Sequence, residues 1–198
     1  MRKVKTSERE EVYSLSVMFY GTYGGSYMHI STIINTYRPI PISLTNLVVY
    51  FTVYVIGLKA GTCSYCLYVL LGVVGLPVFS GYVGGPAKIA GPTGGYIVGF
   101  VLMALIGGYV IEKTNRNMVL VIIAWIVGTM VDYALGTAWF AYVQHCTVGY
   151  ALKVCVYPFI VFDLIKIVAA TFLGKAVRYA LVKAGLLSND KVVSGVTA

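Results

Sequence analysis

The stretch MVLVIIAWIVGTMVDYALGTAWFAYV, residues 118–143, runs for 26 residues with one ionisable side chain, Asp132. A segment of about 20 mainly apolar residues crosses a bilayer as a helix, so this run is read as a transmembrane span. Working outward, five more apolar segments fall at 12–36, 42–58, 62–79, 92–111 and 156–182, the second only just long enough. Irregular stretches separate them: YRPIP (37–41), LKAG (58–61), the glycine-rich 80–91, EKTNRN (112–117) and QHCTVGYALK (144–153). The expected fold is an all-α integral membrane protein of six transmembrane helices. Its organisation is an N-terminal tail over 1–11, a membrane domain over 12–183 and a C-terminal tail over 184–198.

Composition agrees. Of 198 residues, 59% are hydrophobic and 11% charged, and mean hydropathy is +0.83; soluble domains carry about 25% charged residues. The length fits one compact bundle and excludes a two-bundle carrier. The opening MRKVKTSEREE leads into an apolar run that lacks a small-residue cleavage site, so no removable signal peptide is expected. A net charge of +8 suggests nucleic acid only if the cations share one folded face. Here they lie between apolar runs and report topology instead. With both termini cytoplasmic, the inner side carries Arg2, Lys3, Lys5, Arg9, Lys59, Lys113, Arg116, Lys175, Arg178, Lys183 and Lys191, against Arg38, Lys88 and Lys153 outside. That bias obeys the positive-inside rule, and it is self-consistent only for an even number of spans.

The first span is rich in Tyr, Ser, Thr and Gly, which suits burial against protein. Gly21 and Gly25 form a small-xxx-small face that admits close approach of a helix, from this bundle or from a partner. Cys63 and Cys66 make a C-x-x-C, but no second pair or nearby histidine completes a metal site; packing near a helix end is the expectation. His29 and His145 stand apart from any motif, and the other two cysteines are Cys146 and Cys155.

An ionisable group in hydrocarbon costs about 2.5–3.5 kcal/mol on insertion scales, so Asp132, Asp163 and Lys166 each need a partner or a purpose. At 1.5 Å per residue from an outer start near Pro158, Asp163 lies roughly 8 Å deep and Lys166 roughly 12 Å. Asp132, about 21 Å along a span that enters from the inside, reaches the same level. Asp163 and Lys166 are three apart, on one helical face, and can pair. A buried pair adds little net stability over apolar residues, which favours a ligand-binding role. Asp132 either joins the ligand, balances a cation or bonds neighbouring helices.

Residues 75–100, GLPVFSGYVGGPAKIAGPTGGYIVGF, combine glycines that let backbone approach a ligand with Pro92 at an expected helix start. Helix-start N–H groups suit an anion such as a carboxylate, and Lys88 adds a full charge nearby. No Walker phosphate loop occurs, nor any nucleophile with a base, metal cluster or pair of catalytic carboxylates.

The blocks GLPVF (75–79) and GPTGGY (91–96), with Pro39 and Pro41, ALGTAWF (134–140) and PFIVFDLIKIVAA (158–170), resemble the BioY family, the biotin-specific S-components of energy-coupling factor (ECF) transporters. The resemblance covers about residues 39–182. Where that family commonly has a Thr-x-Gln-Thr run, this chain has Ser43, Leu44, Thr45 and Asn46. Where it has an A-x-x-x-A coupling face in the first helix, this chain has Gly21 and Gly25.

The resemblance implies a six-helix bundle in a prokaryotic cell membrane, with a vitamin cavity near the outer face. It also implies a membrane coupling subunit and two ATPase subunits as partners, no cofactor, and biotin as ligand. Biotin presents a ureido ring with two N–H donors and one C=O, an apolar thiophane ring and a carboxylate tail. On this reading Asp163 accepts from a ureido N–H and Lys166 donates to the ureido oxygen, in charge-assisted bonds. Tyr96, Tyr133 and Trp139 supply flat walls. The carboxylate meets Lys88, the N–H groups of 91–94, or Ser43 and Asn46, with loops 37–46 and 80–91 as lids. Two other readings stay open: an S-component for a different vitamin, or an intramembrane enzyme moving protons with Asp132, Asp163 and Lys166.

Overall fold

The structure, a computed structural model, describes residues 44–80 and 83–187. The first span with Gly21, Gly25 and His29, the outer-loop Ser43 and both tails as far as 1–11 and 188–198 lie outside the described residues. Within them the secondary structure is helical apart from an isolated bridge between Phe79 and Val83. The helices are α1 (Thr45–Ile56), α2 (Leu58–Val74), α3 (Pro86–Ala90), α4 (Gly94–Lys113), α5 (Met118–Val143), α6 (Val148–Cys155) and α7 (Ile160–Lys183).

Boundaries follow local chemistry. Gly57 at φ 91° breaks α1 from α2, so the expected loop LKAG is helical and the turn falls one residue earlier. Gly75, left-handed at φ 114°, ends α2 before GLPVF can extend it. Asn117 caps α5 by accepting from the N–H groups of Val119 and Leu120. The stretch 144–153, expected to be irregular, instead contains most of α6, because Thr147 caps it by accepting from Tyr150 N–H. α6 and α7 meet at a 48° bend around Pro158, which lacks the N–H that would continue the ladder.

Among the described residues α4 and α5 are long and apolar enough to cross a membrane, and the bent pair α6/α7 makes a third candidate span. α1 and α2 are apolar but shorter, at 12 and 17 residues. α4 lies along α5, α1 against α7, and α2 against α4. Gly107 and Gly136 make the α4/α5 approach possible: a Cβ at Gly107 would stand 2.1 Å from the Trp125 ring, and one at Gly136 2.3 Å from the Tyr96 ring.

The interior is aromatic and hydrogen-bonded. Tyr50 and Trp125 are fully buried with ring centroids 4.9 Å apart, and the Tyr50 hydroxyl meets Thr129 Oγ1 at 2.6 Å. At the break between α1 and α2, Arg116 donates to Tyr54 O and Arg178 to Val55 O. Glu112 accepts from Leu58 N–H at 3.1 Å. Two guanidiniums thus cover the last carbonyls of α1, and a carboxylate covers the first N–H of α2, which satisfies helix ends that would otherwise be bare. The exterior is apolar: Val119, Ile123, Val127 and Met130 form one exposed stripe on α5, and Phe162, Ile165, Phe172 and Leu173 are exposed on α7. Large apolar side chains outside and polar groups inside mark a protein whose surroundings are lipid.

Candidate ligand-binding site

Several helices deliver polar side chains to one cavity. Asn46 comes from the first turn of α1, Tyr96 from the start of α4, Asp132 and Tyr133 from α5, and Asp163 and Lys166 from the first two turns of α7. The short α3 contributes Lys88.

The α7 pair is made. Lys166 Nζ donates to Asp163 Oδ1 at 3.0 Å, as the spacing of three predicts. Asn46 completes a closed triangle, because its Nδ2 donates to Asp163 Oδ1 at 2.8 Å and its Oδ1 accepts from Lys166 at 3.2 Å. The Tyr133 hydroxyl donates to Asp163 Oδ2 at 2.6 Å. Asp163, Lys166 and Asn46 are 5%, 8% and 6% exposed, so two neutral donors and a cation offset the desolvation of one carboxylate. Two residues have contacts beyond those expected. Asn46, expected at the ligand's carboxylate, lines the cavity and bonds to both members of the ion pair. Tyr133, expected as a flat wall, lines the cavity and also bonds Asp163 through its hydroxyl.

Tyr96 does line the cavity, with its hydroxyl 3.2 Å from Thr137 Oγ1. Lys88 lines it too, and partial burial lowers its pKa from the ordinary lysine value. Trp139 does not: the ring packs on Gly94 and Gly95, and Nε1 donates to Gly91 O at 2.9 Å. It braces the turn before α4 rather than walling the cavity. Ser43 lies outside the described residues. Asp132 is 2% exposed and faces the cavity, but its Oδ1 has no hydrogen-bond partner.

Sequence reading missed the opposite wall. Tyr65 and Tyr68 of α2, with Phe79, Phe100 and Phe159, give the cavity its aromatic sides. The Tyr65 hydroxyl donates to Ile97 O at 3.0 Å and that of Tyr68 to Val78 O at 2.7 Å, which leaves the ring faces for packing and for a guest. Two tyrosines three apart in an apolar segment were the available signal. Cys63 and Cys66, expected to pack, carry free thiols on an exposed part of α2, and Cys155 is the buried cysteine in the cavity wall. Among the described residues no group of three or more His, Cys, Asp or Glu could hold a metal ion.

An acceptor and a donor side by side, walled by aromatic rings and flanked by a second cation, suit a small molecule with a polar ring and an anionic tail. Fold and site therefore define a membrane-embedded binding protein for a small solute. The BioY family model matches residues 4–183, and the chain belongs to that family. The biotin transporter BioY of Thermotoga maritima is 38% identical over 136 residues, covering 69% of this chain and 79% of the relative. The probable biotin transporter BioY of Pyrococcus horikoshii is 35% identical over 71% of this chain and 82% of its own. A crystal structure of the S-component for biotin from an ECF-type ABC transporter shares the fold, with a TM-score of 0.72 at 24% identity over 90% of this chain and 93% of the other. The chain is a membrane protein of a transporter family and not an enzyme.

Proposed function

We propose that this chain captures biotin at the outer face of a prokaryotic cell membrane and delivers it as the S-component of an ECF-type, ATP-driven transporter. The observation that carries the reading is the buried Asn46–Asp163–Lys166 triangle, held by Tyr133 at the side of an aromatic cavity in a BioY-family chain. Three of the hydrogen bonds around it end on Asp163: two on Oδ1 and one on Oδ2. A carboxylate has about four lone-pair sites. The site left on Oδ2 accepts one ureido N–H, and Lys166 donates to the ureido oxygen. Tyr65, Tyr68, Tyr96 and Phe79 enclose the thiophane ring, and Lys88 receives the carboxylate with the help of Ser43.

In the membrane the reading is a six-span bundle over 12–183. The tails at 1–11 and 184–198 are cytoplasmic, and Gly21 and Gly25 form the face toward the coupling subunit of a complex with two ATPases. Titration calorimetry of the detergent-purified chain tests it: one biotin bound per chain, recovered chemically unchanged. Heat from thiamine or riboflavin but none from biotin would retire the assignment.

A further inference from the structure

Asp132 is the polar group at the cavity that the triangle does not use. Its carboxyl is almost wholly buried, lines the cavity, and carries an oxygen with no hydrogen-bond partner. The place is built for it: a Cβ at Gly99 would stand 2.2 Å from Asp132 Oδ1, so glycine on α4 leaves the notch the carboxyl fills. Buried polar groups in folded proteins nearly always have partners, and a carboxyl that lines a binding cavity with its bonding unfilled points to a bond completed by a guest.

The chemistry of the guest says which bond. A cyclic urea carries N–H donors on both sides of its C=O. Asp163, with Oδ1 occupied by Asn46 and Lys166 and Oδ2 by Tyr133, has room for one of them. Asp132 adjoins Tyr133 on α5, and the side chains of both line the cavity that Asp163 lines. We infer that the Asp132 carboxyl, through the oxygen turned away from the Gly99 notch, accepts the second ureido N–H, so that two carboxyl groups on α5 and α7 bracket the ring and select a guest with two divergent N–H donors. Asp132 is thus a specificity residue. An analogue that lacks one donor would leave a buried acceptor bare, the situation in which sites discriminate most strongly.

This rests on the biotin reading, and the experiment separates the two. Biotin and its two derivatives methylated at one or the other ureido nitrogen are titrated into the wild-type chain and Asp132→Ala. On wild type each methylation is expected to weaken binding by about tenfold or more. On Asp132→Ala biotin itself weakens by about tenfold or more, methylation at one nitrogen costs nothing further, and methylation at the other still costs. Wild type that tolerates a methyl on either nitrogen overturns the inference without any variant. Equal weakening of all three ligands by Asp132→Ala also overturns it, since that is the signature of a merely structural role. Should Asp132→Ala fail to fold, Asp132→Ser fits the same notch and serves the same test. Wild type that binds no biotin at all removes the functional reading itself, and this inference with it.

Discussion

Replacing Lys166 with Met removes the cation bonded to Asp163 at 3.0 Å and to Asn46 at 3.2 Å, while keeping a side chain of similar length. Asp163 retains its bonds from Asn46 and Tyr133 but is left as a carboxylate 5% exposed with its ion pair broken. Breaking a buried pair from one side costs about 3–5 kcal/mol. For a chain of this size that is a fall in Tm of roughly 6–20 °C. Binding loses a charged hydrogen bond to the ureido oxygen, worth about 1.5–3 kcal/mol, or about 10- to 150-fold in Kd. The double variant Asp163→Asn with Lys166→Met separates the two effects. The carboxamide oxygen still accepts from Asn46, its NH2 donates to the Tyr133 hydroxyl, and it carries no charge, so most of the lost Tm should return while biotin binding stays lost. Differential scanning fluorimetry and calorimetry at a temperature below every transition read both quantities. Wild-type affinity in the single variant, or recovery of binding in the double one, would refute the reasoning.

Three further outcomes are expected. Asn46→Leu removes one bond to each member of the ion pair and should weaken biotin about tenfold or more in equilibrium titrations, because the pair loses the partner that fixes its orientation. For Lys88→Met the expected sign comes from titration: partial burial lowers the lysine's pKa, so biotin affinity should fall as pH rises through that lowered value, and the variant should bind more weakly with a flat profile over the same alkaline range. Trp139→Phe removes the bond to Gly91 O that braces the turn before α4, and the expected result is a faster biotin off-rate by stopped-flow with little change in Tm.

Much of this was legible along the chain, and the reasons differ by element. The long apolar run at 118–143 became α5 with the same bounds, because its length and hydropathy leave a membrane helix as the sole way to satisfy its backbone. The Asp163–Lys166 pair followed from a spacing of three on a helix. What periodicity does not reveal is which distant side chain joins a pair: Asn46 lies 117 residues from Asp163, and only the packing of α1 on α7 brings them together. The same holds for Tyr133, whose ring suggested a wall and whose hydroxyl turned out to matter, and for Trp139, which aromatic character alone could not distinguish from a cavity residue. Boundaries slipped where one residue decides. Gly57 ended α1 before LKAG could form a loop, and the Thr147 cap turned an apparently irregular stretch into α6. The wall of Tyr65 and Tyr68 went unread because tyrosine in an apolar segment also fits plain packing.

The most direct measurement is a crystal or cryo-electron structure of this chain with biotin bound. The expected density places the ureido oxygen within hydrogen-bond distance of Lys166 Nζ, one ureido nitrogen against Asp163 Oδ2, and the tail toward Lys88. A reversed ligand with its carboxylate on Lys166, or density away from the cavity between α1, α5 and α7, would contradict the assignment.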